Sequence, residues 1–371
     1  MAGSGGIGSG SAGTAGQPPS GPPSAAARSD RGASSARPYR GPLWLPGAHA
    51  QTIWPSVVTP RPAVSYRTER WPTADGDTVR LDWVDASTPV TGGITRRPLL
   101  VLFHGLEGSS DSHYARWLMA HTRDLGIDGV VIHFRGCGGE PLRGPRAYHS
   151  GDSDEADWVL RRLAAERAAA GTTSVMLAVG VSLGGNVLAK WLGERGTEAG
   201  FIAAAAVISP PQDLHAGAIA LSRGFNRFYA WSFLRTLRTK SLAMLDRHPG
   251  LFDRTRVAEC RDFFDFDELV TAPLHGFASA LDYWQRSSCR PFLAGITVPT
   301  LVVNALNDPF LPASALARAQ DVSRAVRLDY PEQGGHVGFP GGAPPGRLDW
   351  LPHRVFDFFA EVLGTDALAT R

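Results

Sequence analysis

The strongest constraint on this chain is a rhythm between residues 99 and 193, where short β-type runs alternate with helix-patterned segments. Leu99 to Phe103 precedes a helical pattern over Ala115 to Leu125. Gly129 to Phe134 precedes Asp154 to Ala168, and Val175 to Val181 precedes Leu183 to Gly193. Such alternation predicts an α/β architecture, a mostly parallel sheet covered by helices on both faces. Upstream, Val64 to Trp71 and Thr78 to Val84 flank the turn signal Ala74-Asp75-Gly76-Asp77, which predicts an antiparallel hairpin at the sheet edge. Downstream, Ala203 to Ser209, Leu301 to Ala305 and Val326 to Tyr330 read as three further strands. Between Pro210 and Val298 the β signal gives way to aromatic helical segments. The expected organisation is therefore one α/β core over residues 39–211 and 294–366, interrupted by a helical lid insertion over 212–293. The Gly/Ser/Ala/Pro-rich stretch over residues 1–38 lacks the large side chains that offset ordering entropy and is expected to be a disordered tail.

Composition removes several functional classes. With 371 residues, 43% of them hydrophobic, the chain can bury a large core and needs no disulfide staples. The 37 basic residues nearly balance the 35 acidic ones, and the arginines are scattered, so no phosphate-tracking surface for nucleic acid is expected. Cys137, Cys260 and Cys289 cannot all pair and lack metal-ligand spacing, which predicts a reducing compartment without structural zinc, and the serine chemistry considered next implies no metal or organic cofactor. The longest apolar run, Phe201 to Ile208, is too short to cross a bilayer, and the N-terminus has no signal-peptide core, so a cytoplasmic chain without a transmembrane segment is expected.

Chemistry points to Gly180-Val181-Ser182-Leu183-Gly184, which has the form G-x-S-x-G. The bare pattern is degenerate, but here it follows a strand candidate and opens a helix. In that context Gly180 and Gly184 let strand and helix approach while the strained turn exposes the Ser182 hydroxyl. A serine hydroxyl needs a histidine to take its proton, and the histidine needs a carboxylate to hold its tautomer. Of the downstream histidines, His336 is best placed, in a Gly-rich loop directly after the strand candidate ending at Tyr330. His353 sits in the helical pattern Leu351 to Phe359 and reads as a surface residue. For the acid, Asp308 follows the strand Leu301 to Ala305 at its carboxyl end. Asp213 is the competitor, with a helix N-cap as its alternative role. A tetrahedral intermediate also needs two N–H donors. The Leu183 amide supplies one, and the Leu106 amide, in the loop His104-Gly105-Leu106-Glu107-Gly108, is the candidate for the other. His104 is assigned a structural role and Cys137 a packed one.

Several separate blocks occur in an order that resembles the α/β-hydrolase superfamily, and within it the YheT-like bacterial branch of the AB hydrolase 4 family. They are Leu45-Pro46-Gly47-Ala48-His49-Ala50-Gln51-Thr52, His104 to Gly108, Phe134 to Glu140, Tyr148 to Gly151, Gly180 to Asn186, Asn307 to Phe310 and Gly334 to Phe339. The resemblance implies an α/β-hydrolase fold, a Ser-Asp-His triad at Ser182, Asp308 and His336, and hydrolysis of small-molecule carboxylic esters with short or lipid-like acyl groups. Acyl transfer to an alcohol and a catalytically silent protein binding an apolar ligand are the alternatives. The apolar face of the insertion, from Leu221 to Leu234, could receive an acyl chain or simply pack the insertion onto the core.

Overall fold

The expected edge hairpin is present. After helix α1 (Ala48–Val57), strands β1 (Arg67–Pro72) and β2 (Thr78–Val84) pair antiparallel from Arg67↔Trp83 to Pro72↔Thr78. Pairing begins at Arg67↔Trp83, three residues after the expected start at Val64. This computed structural model describes residues 1–3, 38–86 and 97–368, and the tail expected over 1–38 falls, apart from residues 1–3 and 38, outside the described residues.

The alternating segment forms β3 (Leu99–Phe103), α2 (His113–Asp124), β4 (Asp128–His133), α3 (Ser153–Ala169), β5 (Met176–Val181), α4 (Leu183–Arg195) and β6 (Ile202–Ile208). Helices then occupy the chain until β7 (Thr300–Val303) and β8 (Val326–Asp329). The sheet order is β1-β2-β4-β3-β5-β6-β7-β8, parallel from β4 onward, with β2 antiparallel to β4. Successive side chains of a strand point to opposite faces, and the two cores divide accordingly. Leu99, Val101 and Phe103 join Val159, Leu188 and Trp191 on one face. Leu100 and Leu102 join Leu118, Val355 and Phe359 on the other, beneath the late helix α11 described below. Each fully buried side chain of this size contributes roughly 1.5–3 kcal/mol. The chain passes from β3 to β4 on one side and returns to β5 on the other, so the order reverses beside β3. The carboxyl ends of the strands next to such a reversal form a crevice.

Residues between β6 and β7 form α5 (Leu214–Leu221), α6 (Asn226–Arg247), α7 (Arg254–Glu259), α8 (Phe263–Phe266), a π-helical turn over Asp267–Thr271, α9 (Ala272–Leu274) and α10 (Ala280–Ser287). They carry small apolar clusters of their own, one around Leu234, Val257 and Phe266, another around Ala280, Tyr283 and Trp284. After β8 the chain ends in α11 (Trp350–Leu363) and α12 (Thr365–Leu368). His353 lies on α11 as expected, its Nδ1 2.6 Å from the Asp349 carbonyl oxygen.

One buried amide ties α10 to the sheet layer. The Asn186 side chain on α4 donates 2.7 Å hydrogen bonds to the carbonyls of Ser150 and Ser287 and accepts one of 2.9 Å from the Cys289 amide. Asn186→Ala strands two carbonyls and one N–H, each costing about 1–3 kcal/mol when buried without a partner. We expect a loss of about 3 kcal/mol or more in denaturant unfolding, and a near-neutral result would mean that this junction relaxes freely.

Candidate functional site

Ser182 occupies the one-residue turn between β5 and α4 with φ 52° and ψ −119°, a region that residues with a Cβ rarely adopt. The turn is as tight as the sequence predicts. A Cβ at Gly184 would stand 2.5 Å from the carbonyl oxygens of Phe103 and His104, and one at Gly180 would stand 2.7 Å from the Gly185 Cα. The Ser182 Oγ is 2.8 Å from His336 Nε2, and His336 Nδ1 is 2.8 Å from Asp308 Oδ2. A carboxylate can only accept, so Nδ1 carries the proton and Nε2 is left as an acceptor facing the hydroxyl. The Asp308 side chain is 2% exposed and its Oδ1 accepts from the Phe310 amide at 2.8 Å. Phe310 also stacks on the imidazole, ring centres 4.1 Å apart.

The structure thus brings Ser182, Asp308 and His336 together. Asp213 is instead the N-cap of α5, accepting from the Ala216 amide at 2.9 Å. Asp152 immediately precedes α3, but its carboxylate pairs with Arg146 at 2.7 Å and caps nothing. His104 is buried between loops, with Nδ1 2.7 Å from the Gly105 carbonyl oxygen and Nε2 accepting from the Phe134 amide at 3.2 Å. Burial pushes its pKa down to about 3, so it stays neutral in this bridging position. Cys137 is also buried, and burial pushes its thiol up to about 12. On the Leu106 side, the Gly105 and Glu107 amides donate to the hydroxyls of Tyr114 and Tyr148 at 2.7 and 2.9 Å. The Leu106 amide between them has no partner among the described residues. Leu183 is the first residue of α4, where an amide lies outside the helix ladder.

Supporting residues came from elsewhere. The fully buried Gln51 of α1 accepts from Asn307 Nδ2 and the Gly334 amide and donates to Gln333 Oε1, at 3.0, 2.9 and 2.9 Å. Thr52 Oγ1 accepts from the His336 amide at 2.9 Å, and Ser209 Oγ from the Val337 amide at 3.2 Å. The sequence contained Gln51 and Thr52 only as part of a block, because nothing local relates α1 to a loop almost 300 residues later.

Ser182, Leu183, Leu106 and His336 line an apolar cavity of about 130 Å³. Its other walls come largely from the helical segment: Leu214 of α5, Phe233 and Leu237 of α6, Phe263, Phe266, Tyr283 and Trp284. A larger polar cleft of about 630 Å³ lies beyond Glu107, beside Arg80, Cys137 and Lys240, and includes neither Ser182 nor His336. The hydrogen-bonded chain therefore places the candidate site at the smaller cavity.

A family model described as the alpha/beta hydrolase fold matches residues 98–343. The chain is 36% identical over 328 residues to "Putative esterase YheT" of Escherichia coli (strain K12), covering 88% of this chain and 93% of that protein. The chain belongs to the α/β-hydrolase family. It is also similar to "Phospholipase ABHD3" of Homo sapiens, 29% identical over 88% of this chain and 79% of that protein. A more distant relative is "Medium-chain fatty acid ethyl ester synthase/esterase 2" of Saccharomyces cerevisiae, 26% identical over 71% of this chain and 62% of that protein.

The cavity wall of this α/β-hydrolase also contains a buried carboxylate, Asp267. Asp267 opens the π-helical turn, its carboxylate accepting from Thr271 Oγ1 at 2.6 Å and Trp284 Nε1 at 2.7 Å. Neither donor is charged, and burial pushes its pKa up to about 6 from an ordinary 3.8. The folded state then binds the proton more tightly than the unfolded chain. The contribution is fully present below pH ~4 and is lost as pH rises through about 6. Asp267→Asn removes the charge, its amide oxygen accepting from Trp284 Nε1 while its NH2 donates to the Thr271 hydroxyl. Its melting temperature should exceed that of the wild type at pH 8, with the gain shrinking toward pH 5. A gain that does not vary with pH would remove Asp267 as the titrating group.

Proposed function

We propose that this chain is a serine hydrolase that cleaves carboxylic esters through an acyl-enzyme. The observation that carries this reading is the unbroken Ser182–His336–Asp308 hydrogen-bonded chain opening into an apolar cavity. Ser182 Oγ attacks the ester carbonyl carbon while His336 Nε2 takes its proton, and Asp308 orients and stabilises the imidazolium. The negative oxygen of the tetrahedral intermediate is held by the Leu106 and Leu183 amides, the former without another partner among the described residues. Collapse expels the alcohol, which receives the proton from His336. Water then repeats the sequence on the acyl-serine and releases the acid. No metal or organic cofactor enters any of these steps.

The helices between β6 and β7 act as a lid over Ser182, and the acyl group lies among Leu214, Phe233, Leu237 and Phe266. Relatives named as an esterase and a phospholipase support ester chemistry. The name of the yeast relative, which includes ester synthesis, supports acyl transfer to an alcohol as a second outcome of the same acyl-enzyme. Adding ethanol to the assay and analysing the products separates the two.

A fluorophosphonate probe should modify wild-type protein stoichiometrically and leave Ser182→Ala unlabelled; a folded wild type that resists the probe would falsify the enzyme reading. Asp308→Asn should lower turnover of a soluble ester by roughly 10⁴-fold, since it removes the acceptor that fixes the tautomer. Asp213→Asn should leave turnover within a few-fold, and the reverse ranking would move the acid to the end of β6.

A further inference from the structure

The corner between α5 and α6 exposes more aromatic surface than folding explains. Ile219, Phe225, Phe228 and Trp231 are 37%, 53%, 55% and 50% exposed, within thirteen residues of one another. The three rings form a continuous patch. The Phe225 and Phe228 ring centres are 5.9 Å apart, and Phe228 stacks on Trp231 at 5.9 Å. Monomeric proteins seldom leave such a cluster uncovered unless something binds there.

The charges around it are one-sided. Residues 214–245 contain no Asp or Glu, while Arg223, Arg227 and Arg235 are exposed and have no ion pair among the described residues. The Arg235 guanidinium lies over the Trp231 ring at 5.3 Å. In the groove beside Phe228 and Trp231, the acids Glu259 and Asp262 are outnumbered by Arg227, Arg238 and Arg261. Large apolar side chains ringed by arginines suit an anionic lipid–water boundary, where rings enter the acyl region and guanidinium groups remain among the headgroups.

The patch is also coupled to the candidate site. Leu221 lines both the outer groove and the apolar cavity. Asn226 donates to the Pro309 carbonyl, next to Asp308, at 2.6 Å. An aromatic chain leads inward from Phe225 to Tyr229 at 5.8 Å, to Phe310 at 4.8 Å and to His336 at 4.1 Å. A lipid drawn from the boundary would arrive beside the cavity.

We propose that the exposed α5–α6 corner is a docking face for bilayers carrying anionic headgroups, seated by Phe225, Phe228 and Trp231 and steered by Arg223, Arg227 and Arg235. No helix of the described residues is long and apolar enough to cross a membrane. Docking goes beyond the proposed hydrolysis and is measured without it.

The test is cosedimentation of full-length Ser182→Ala protein with vesicles of phosphatidylcholine alone or mixed with phosphatidylglycerol. Binding should favour the mixed vesicles and weaken as salt rises. The pair Arg223→Gln and Arg227→Gln should lower the partition coefficient on mixed vesicles about 25-fold, at about fivefold per charge. The pair Phe228→Ser and Trp231→Ser should abolish binding to both, and unchanged melting temperatures would show that neither pair unfolds the chain. Absence of vesicle binding, or binding that survives both pairs, overturns the proposal. So does a dimer in sedimentation velocity that dissociates with Phe228→Ser and Trp231→Ser, since the face would then belong to a second copy of the chain.

Discussion

Everything at the candidate site depends on how closely the turn at Ser182 approaches the end of β3. The Gly184 amide donates to the His104 carbonyl at 3.1 Å, and no side chain fits at Gly184 because Phe103 and His104 already occupy that space. This contact fixes the amide of Leu183 relative to the loop holding Leu106. It also forces Ser182 into its left-handed conformation, a cost of order 1–3 kcal/mol that the buried strands on either side sustain. Pairing of β5 with β3 on one side and β6 on the other leaves the turn no room to relax.

A second layer holds the imidazole. The loop carrying His336 contains two further non-glycine residues with positive φ, Val337 at 60° and Phe339 at 42°. A β-branched residue in that region is strained, and the loop is pinned by partners on two distant segments. Thr52 on α1 holds the His336 amide, Ser209 after β6 holds the Val337 amide, and Gln51 bridges the loops after β7 and β8. Buried polar networks of this kind are specific because each unpaired member would be costly. They hold the backbone of the loop that aims His336 at Ser182.

Which parts of this were legible in the sequence follows from the range of the signals. Strands β3, β5, β6 and β7 were readable because burial on both faces makes them continuous apolar runs, and Ser182 and Asp308 follow β5 and β7 within a few residues, whereas His336 follows the half-buried β8. The start of β1 was misplaced because apolar residues at Val64 and Tyr66 pack without a paired neighbour. Gln51, Thr52, Ser209 and Asn186 could not be given roles, since their partners lie 36 to 284 residues away.

Helix α6 shows why sequence periodicity alone leaves the insertion ambiguous. Phe228, Tyr229, Trp231, Phe233 and Leu234 surround the helix instead of forming one stripe, and a helix that is apolar on several sides needs more than one neighbour. One neighbour is the cavity, met by Phe233 and Leu237, and another is the small core around Leu234. Tyr229 turns toward Phe310. Among the described residues, the side bearing Phe228 and Trp231 is left half-exposed, and that is the side on which Arg227 and Arg235 stand. Had these rings been needed for internal packing, burial would have selected against flanking arginines, whose desolvation is expensive. Their coexistence on one exposed face is what an amphipathic environment outside the protein would select.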